Sequence, residues 1–345
     1  MKIRFFLLLF LLACAPVEQA TEPLPDTVPP ELTEELLDDA SDMVYVTYGG
    51  HIEDLDLYWK DCAYYEERRN KLLDVAELVQ RYGVTFNLQV EYDFLRGVLE
   101  CETEEMQMNT DGENILHYLA TQYDFEIDVH QEGAWDWEPD SLDNWADAHY
   151  LGTQVTPLIS DVTGLVWNYP DQFIELNAGQ QGRLHPEHTW EPMIIGSAVG
   201  YNHHLSDFSD DDVSSGMWKP KGANEDFFVH DDSMRMVYTG SGVHGNWGGT
   251  TDCEFASPID YIEVLQQYQR QGTIDSSLMW TSNIYIPQKI MFEEIEKFED
   301  VLREGSTLDV EYVTYSKLVK TWMTEYKAQP SQLLFDDIDP RDYTC

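Results

Sequence analysis

Two short stretches combine residue types that can do chemistry at spacings that bring them together. The first is GGHIEDLD (49–56), which holds His51, Glu53, Asp54 and Asp56. The second is FEIDVHQE (125–132), in which Phe125, Ile127 and Val129 alternate with Asp128, His130 and Glu132 from position 127 onward. Successive side chains of a strand point to opposite faces, so Asp128, His130 and Glu132 share one side. A divalent metal needs a few nitrogen and oxygen donors converging from separate strand ends. Metal-assisted hydrolysis also needs a carboxylate base and a donor for the developing oxyanion. Both stretches carry those types just after strand candidates. Singly, a Glu-Asp pair is what any acidic surface yields, and a lone histidine can be a hydrogen-bonded core residue. Their joint placement at corresponding strand ends favours a site.

The elements that would position them alternate. MVYVTY (43–48) reads as a strand closed by Gly49-Gly50. A helix is expected over 61–82, with Leu72, Leu73, Ala76 and Val79 at helical spacing and Gly83 as its C-cap. VTFNLQVE (84–91) alternates strictly, and a helix over 113–123 leads into the strand that carries His130. Strands separated by helices imply a parallel sheet. One face of these strands is aliphatic and the other carries Asn87, Gln89, Asp128 and His130. A sheet covered by helices on both sides would have nearly continuous apolar strands. The expected architecture is therefore a parallel (β/α) barrel, seven-stranded or irregular, with long loop insertions and these four residues lining its interior. Later strands are expected at 191–199, 234–240, 277–287 and 310–316, with helices near 288–303 and 316–327. The stretch 152–258 is mostly loop-like.

The pattern strand–(acid-acid), helix, strand, helix, strand–His resembles the polysaccharide deacetylase family, within the wider glycoside hydrolase/deacetylase barrel superfamily. The resemblance covers 43–151, extends weakly to 277–326, and hardly touches the middle. It implies that Glu53 is a catalytic base and Asp54 a metal ligand, with Glu53 standing where an aspartate is usual. His130 matches the first of two histidines four residues apart. The second position is Ala134, so Glu132 or His149 is left to supply the third ligand. Asp128 would orient His130 or touch substrate, and Gln89, Trp135 and Trp137 would bind it, the tryptophans as a sugar-stacking platform. His244, in a Gly-rich loop beside Trp247, is a candidate general acid. The implied cofactor is a divalent metal, with zinc expected. The implied activity is removal of N- or O-acyl groups from a carbohydrate. The alternatives are a glycoside hydrolase of the same superfamily and a non-catalytic glycan-binding lipoprotein.

Elsewhere, His185 and His188 in LHPEHTW have spacing suited to a metal, and His203-His204 with Asp210-Asp211-Asp212 would suit calcium. Surface loops explain both more simply. There is no P-loop, no dinucleotide-binding glycine motif and no nucleophile elbow.

Composition bounds the rest. The chain of 345 residues is 43% hydrophobic and 13% aromatic, enough for a substantial core. It holds 65 Asp and Glu against 20 Lys and Arg, a formal charge of −45. Such a surface repels nucleic acid and anionic lipid. Lys2 and Arg4 precede the apolar run FFLLLFLLA, too short to span a bilayer, and Leu11-Leu12-Ala13-Cys14 resembles a bacterial lipoprotein box. The expected organisation is a signal peptide over 1–14 with Cys14 lipidated, and an acidic, Pro-rich tether over 15–42. A barrel domain over 43–330 and a tail over 331–345 follow. The expected location is the cell envelope, as a membrane-anchored monomer. Cys62, Cys101, Cys253 and Cys345 remain for disulfides, and three pairings are open.

Overall fold

The computed structural model describes residues 42–53, 57–130, 144–164, 175–196, 213–222, 224–240 and 258–334. Its strands are β1 (Val44–Ile52), β2 (Asn87–Val90), β3 (Glu126–His130), β4 (Ile159–Gly164), β5 (Gln180–Gln181), β6 (Thr189–Trp190), β7 (Ile194–Gly196), β8 (Val213–Trp218), β9 (Val237–Thr239), β10 (Trp280–Ile286), β11 (Glu311–Tyr312) and β12 (Ser331–Leu334). Among the described residues, β10, β1, β2, β3, β4, β7 and β9 follow one another in parallel pairs. β8 then runs antiparallel between β9 and β12. The result is a nearly closed, mostly parallel (β/α) barrel, as the strand alternation implies.

The ring is completed by side-chain hydroxyls across the gap between β8 and β10. Ser215 Oγ donates to Thr281 O at 2.7 Å and accepts from Thr281 N at 3.1 Å. Gly216 N donates to Thr281 Oγ1 at 3.2 Å. Ser331 Oγ donates to Met279 O and accepts from Met217 N. These hydroxyls satisfy backbone groups that a missing ladder would leave exposed. Ser331–Leu334, assigned to the tail on sequence, are thus part of the sheet.

Two elements show how local sequence sets the frame. The helix Cys62–Tyr82 starts at Asp61, whose carboxylate accepts from Ala63 N and Tyr64 N, and ends at Gly83 with φ 67°. It buries Tyr65, Arg69, Leu72, Val75, Ala76 and Val79, one face of a 3.6-residue period. β1 does not stop at Gly49-Gly50 but runs on to Ile52. Those glycines are there for close approach: a Cβ on Gly50 would lie 2.7 Å from Met291 Sδ, and one on Gly49 would lie 3.2 Å from Tyr315 Oη.

Helices absent from the sequence expectation are Tyr92–Cys101, Trp145–Val155 and Pro258–Gln271. The expected helix near 288–303 is two, Gln288–Glu293 and Ile295–Gly305. The last helix, Tyr315–Thr324, packs Tyr315, Leu318, Val319 and Trp322 against Tyr45, Val162, Ile194 and Val237. It plugs the barrel at the end where β1 begins. Cys62 and Cys101 form a disulfide joining the first turn of one helix to the last of another. No described helix is long and apolar enough to cross a membrane.

Candidate metal centre

Register determines which side chains meet. His51 on β1 pairs with Gln89 on β2, and Gln89 pairs with Asp128 on β3. Residues paired across parallel strands share a face, so these three form one inward row. One level nearer the strand C-termini, Glu53 follows β1 and His130 ends β3. His51, Gln89, Asp128 and His130 are buried, whereas Glu53 is half-buried. The site therefore occupies the C-terminal mouth of the barrel, where strand ends deliver side chains from separate elements.

Glu53 joins two histidines. Its Oε2 lies 3.4 Å from His130 Nε2 and 3.7 Å from His51 Nδ1. The two imidazoles stack with centroids 3.9 Å apart and planes at 23°. Tyr285 of β10 covers the His51 ring at 4.7 Å, and Trp145 meets His130 edge-on at 5.9 Å. The Glu53 backbone is fixed by its N–H donating to Gln288 Oε1 at 2.9 Å. Among the described residues, His51, Glu53 and His130 are the one group of three whose donor atoms all lie within 4.8 Å of one another.

This set suits a divalent metal. A tetrahedral zinc with bonds of about 2.0–2.1 Å needs donors about 3.3–3.4 Å apart. The two distances to Glu53 already approach that edge. Burial and the neighbouring His130 push the His51 imidazolium down to about 4, against the opposing pull of Glu53, so His51 is neutral and able to ligate at neutral pH. Burial alone would raise the Glu53 carboxyl. The hydrogen bonds of His130 and His51, the largest opposing influences, overcome that and hold it well below the carboxylate range.

Beside this group lie buried polar atoms that make no well-formed hydrogen bond. Asp128 Oδ1 accepts from Ser160 Oγ, while Asp128 Oδ2 and both amide atoms of Gln89 make no well-formed hydrogen bond. A buried polar group left unpaired costs about 1–3 kcal/mol, so such clustering marks a place where a ligand completes the bonding. Burial, then the charge of Glu126, raises the Asp128 carboxyl well above its ordinary value, although Ser160 and Gln89 pull the other way.

Of the residues singled out on sequence, the structure brings together Glu53, Gln89, Asp128 and His130. His149 is elsewhere: it stacks on Trp190 at 4.8 Å, and its Nδ1 lies 3.0 Å from His188 Nε2. Cys14, Asp54, Glu132, Trp135, Trp137, His203, His204, Asp210–Asp212 and His244 lie outside the described residues. Asn87 lines the interior but is structural, donating to Tyr48 O and accepting from Tyr315 N. His51, named on sequence as part of the first cluster, was given no role there. It shares parity with Glu53, a signal usable only if β1 continues past Gly49-Gly50.

The class that fold and site define is a nearly closed, mostly parallel β/α barrel with a candidate metal centre at its C-terminal mouth. No protein-family model matches the chain, and no curated protein matches it. A solved structure described as a probable polysaccharide deacetylase from Pseudomonas aeruginosa PAO1 aligns over 84% of this chain and 94% of that one, with TM-score 0.49 and 12% identity.

Proposed function

We propose that the protein is a metal-dependent hydrolase that removes acyl groups from a carbohydrate. The observation that carries this is the His51–Glu53–His130 donor set, beside buried Gln89 and Asp128 atoms that make no well-formed hydrogen bond, at the mouth of a mostly parallel barrel. His51 Nδ1, His130 Nε2 and Glu53 Oε2 would hold the metal, with zinc the best match to two imidazoles and a carboxylate. Glu53 thereby moves from the base expected on sequence to a ligand. A metal there would polarise the acyl carbonyl and acidify a bound water.

The chain's own groups do the rest. Tyr285 packs against the His51 ring and Trp145 meets the His130 ring edge-on, which limits how the two imidazoles turn. Ser160 donates to Asp128 Oδ1, which leaves Oδ2 to exchange a proton with the attacking water or the leaving group. The Gln89 amide offers one donor and one acceptor to a substrate's acyl or hydroxyl groups. Trp135 and Trp137, close in sequence after β3, would supply sugar-stacking faces.

The test couples metal analysis to acetate release from acetylated oligosaccharides. The purified protein should retain about one equivalent of zinc, and His51→Ala and His130→Ala should each lose it. Asp128→Asn should keep the metal and lose about a hundredfold or more in turnover, the usual weight of a positioned acid or base. If His130→Ala binds zinc as tightly as wild type, the site is elsewhere. Membrane anchoring through a lipidated Cys14 belongs to the same proposal, supported by the LLAC sequence. Cys14→Ser should release the protein from membranes, and unchanged membrane association would refute the anchor.

A further inference from the structure

Two of the three candidate donors come from one strand end, and the junction between β10 and the helix Gln288–Glu293 grips that end. β1 and β10 run in parallel as far as Gly49 opposite Tyr285 and Gly50 opposite Ile286. The chain then turns at Pro287, the N-cap of the helix. From this short stretch three side chains reach β1. Tyr285 lies against the His51 ring at 4.7 Å. Met291 fills the space that Gly50 leaves, since a Cβ there would lie 2.7 Å from its Sδ. Gln288 Oε1 accepts from the Glu53 N–H at 2.9 Å.

The same oxygen has a second donor. Tyr58 Oη donates to Gln288 Oε1 at 3.3 Å. Tyr58 is fully buried on the helix Leu57–Lys60, which follows Glu53 in the chain. Its ring meets Phe94, on the helix Tyr92–Cys101, edge-on at 5.1 Å. One carbonyl oxygen therefore ties Glu53, where the chain leaves β1, to Tyr58, where the chain re-enters the core. Glu53 lies one residue past the end of β1, and its N–H goes to this side chain instead of to a strand neighbour.

We propose that Gln288 is a positioning residue, which aims the Glu53 carboxylate between His51 and His130 by holding the Glu53 N–H and the Tyr58 hydroxyl on one oxygen. The proposal rests on the reading of His51, Glu53 and His130 as a metal centre. A glutamate side chain has three rotatable bonds, so its oxygens return to one place only if its backbone is fixed. A donor set works only when held to within about 0.5 Å of its productive geometry. Gln288 touches neither metal nor substrate and acts through Glu53. Loss of such an outer partner costs about ten- to a hundredfold in metal affinity or activity.

The experiment measures zinc affinity by competition with a chromophoric chelator, alongside kcat and KM for acetate release, on the full-length protein. Gln288→Met keeps the length of the side chain and removes the acceptor. It should weaken zinc binding about tenfold or more and lower kcat to a similar degree, with KM changed less than about twofold. Tyr58→Phe should weaken zinc about threefold in the wild-type background, the weight of one modest hydrogen bond. In the Gln288→Met background it should do nothing further, because its effect passes through the shared oxygen. Unchanged zinc affinity and kcat in Gln288→Met overturn the proposal, and so does an equal loss from Tyr58→Phe in both backgrounds. Where Gln288→Met does not fold, Tyr58→Phe decides alone, and unchanged zinc affinity in it overturns the proposal. Zinc binding that survives His130→Ala overturns instead the metal-centre reading beneath it.

Discussion

The His149–His188 pair makes a quantitative prediction about acid stability. Burial, then the neighbouring His188, pushes His149 from its ordinary 6.5 down to about 4. The folded protein therefore holds this ring neutral where the unfolded chain would protonate it. A depressed histidine gives stability that is complete above 6.5 and lost as pH falls toward 4, because the unfolded state binds the extra proton. Between pH 7 and pH 5 the linkage for these two values comes to about 2 kcal/mol, an upper figure because part of the ring meets water. The perturbation is His149→Phe, which keeps the stack on Trp190 and removes the titration. The assay is urea unfolding of both proteins at pH 7, 6 and 5 in chelator, so that no metal contributes. Wild type should lose about 2 kcal/mol more than the variant across that range. Groups away from the pair, His51 among them, act equally in both proteins and cancel in the difference, and repeating the comparison in a His188→Phe background removes the titration of the contacting partner. Parallel loss of stability in the two proteins would refute the reasoning.

Two further outcomes concern the frame that holds β1 and β2 in place. Arg69 is fully buried and donates to Glu102, Asn109, Thr110 and Met106 O, so Arg69→Ala should leave an uncompensated buried carboxylate and cost about 3–5 kcal/mol in chemical unfolding, whereas a loss below about 1 kcal/mol would deny the network that weight. The Cys62–Cys101 bridge closes a loop of separation 39, and removing it by Cys62→Ser with Cys101→Ala should cost up to about 4 kcal/mol by loop entropy, with no shift in unfolding midpoint speaking against it.

The sequence made the interior row legible because a period of two is hard to imitate. Asn87, Gln89, Asp128 and His130 alternate with Phe86, Leu88, Ile127 and Val129, and only a strand with one lined face accounts for both sets. The later strands were harder for a physical reason. β7 and β9 have three residues each and β11 two, too short to show any period, and they are held by neighbours far away in sequence. The helix Tyr92–Cys101 does carry helical spacing at Phe94, Leu95, Val98 and Cys101. It starts directly after β2, at Glu91, which makes no side-chain cap, so nothing local separates strand from helix.

The glycine pair in β1 shows how one ambiguous signal moved a functional assignment. Gly-Gly is the usual mark of a turn, and read that way it ends the strand at Tyr48 and leaves His51 in a loop. In the barrel the same glycines make room for Tyr315 and Met291, which approach β1 from different elements, and the strand continues to Ile52. Continuation places His51 and Glu53 on one face, opposite His130. The donor set then becomes His-x-Glu from one strand with a histidine from another. Glu53 then bridges the two imidazoles, 3.4 Å from His130 Nε2 and 3.7 Å from His51 Nδ1, and it is this placement that makes it the ligand, and Asp128 the proton-transfer group, in the function we propose. A backbone requirement set by two residues more than two hundred positions away therefore decides which side chains meet at the strand ends.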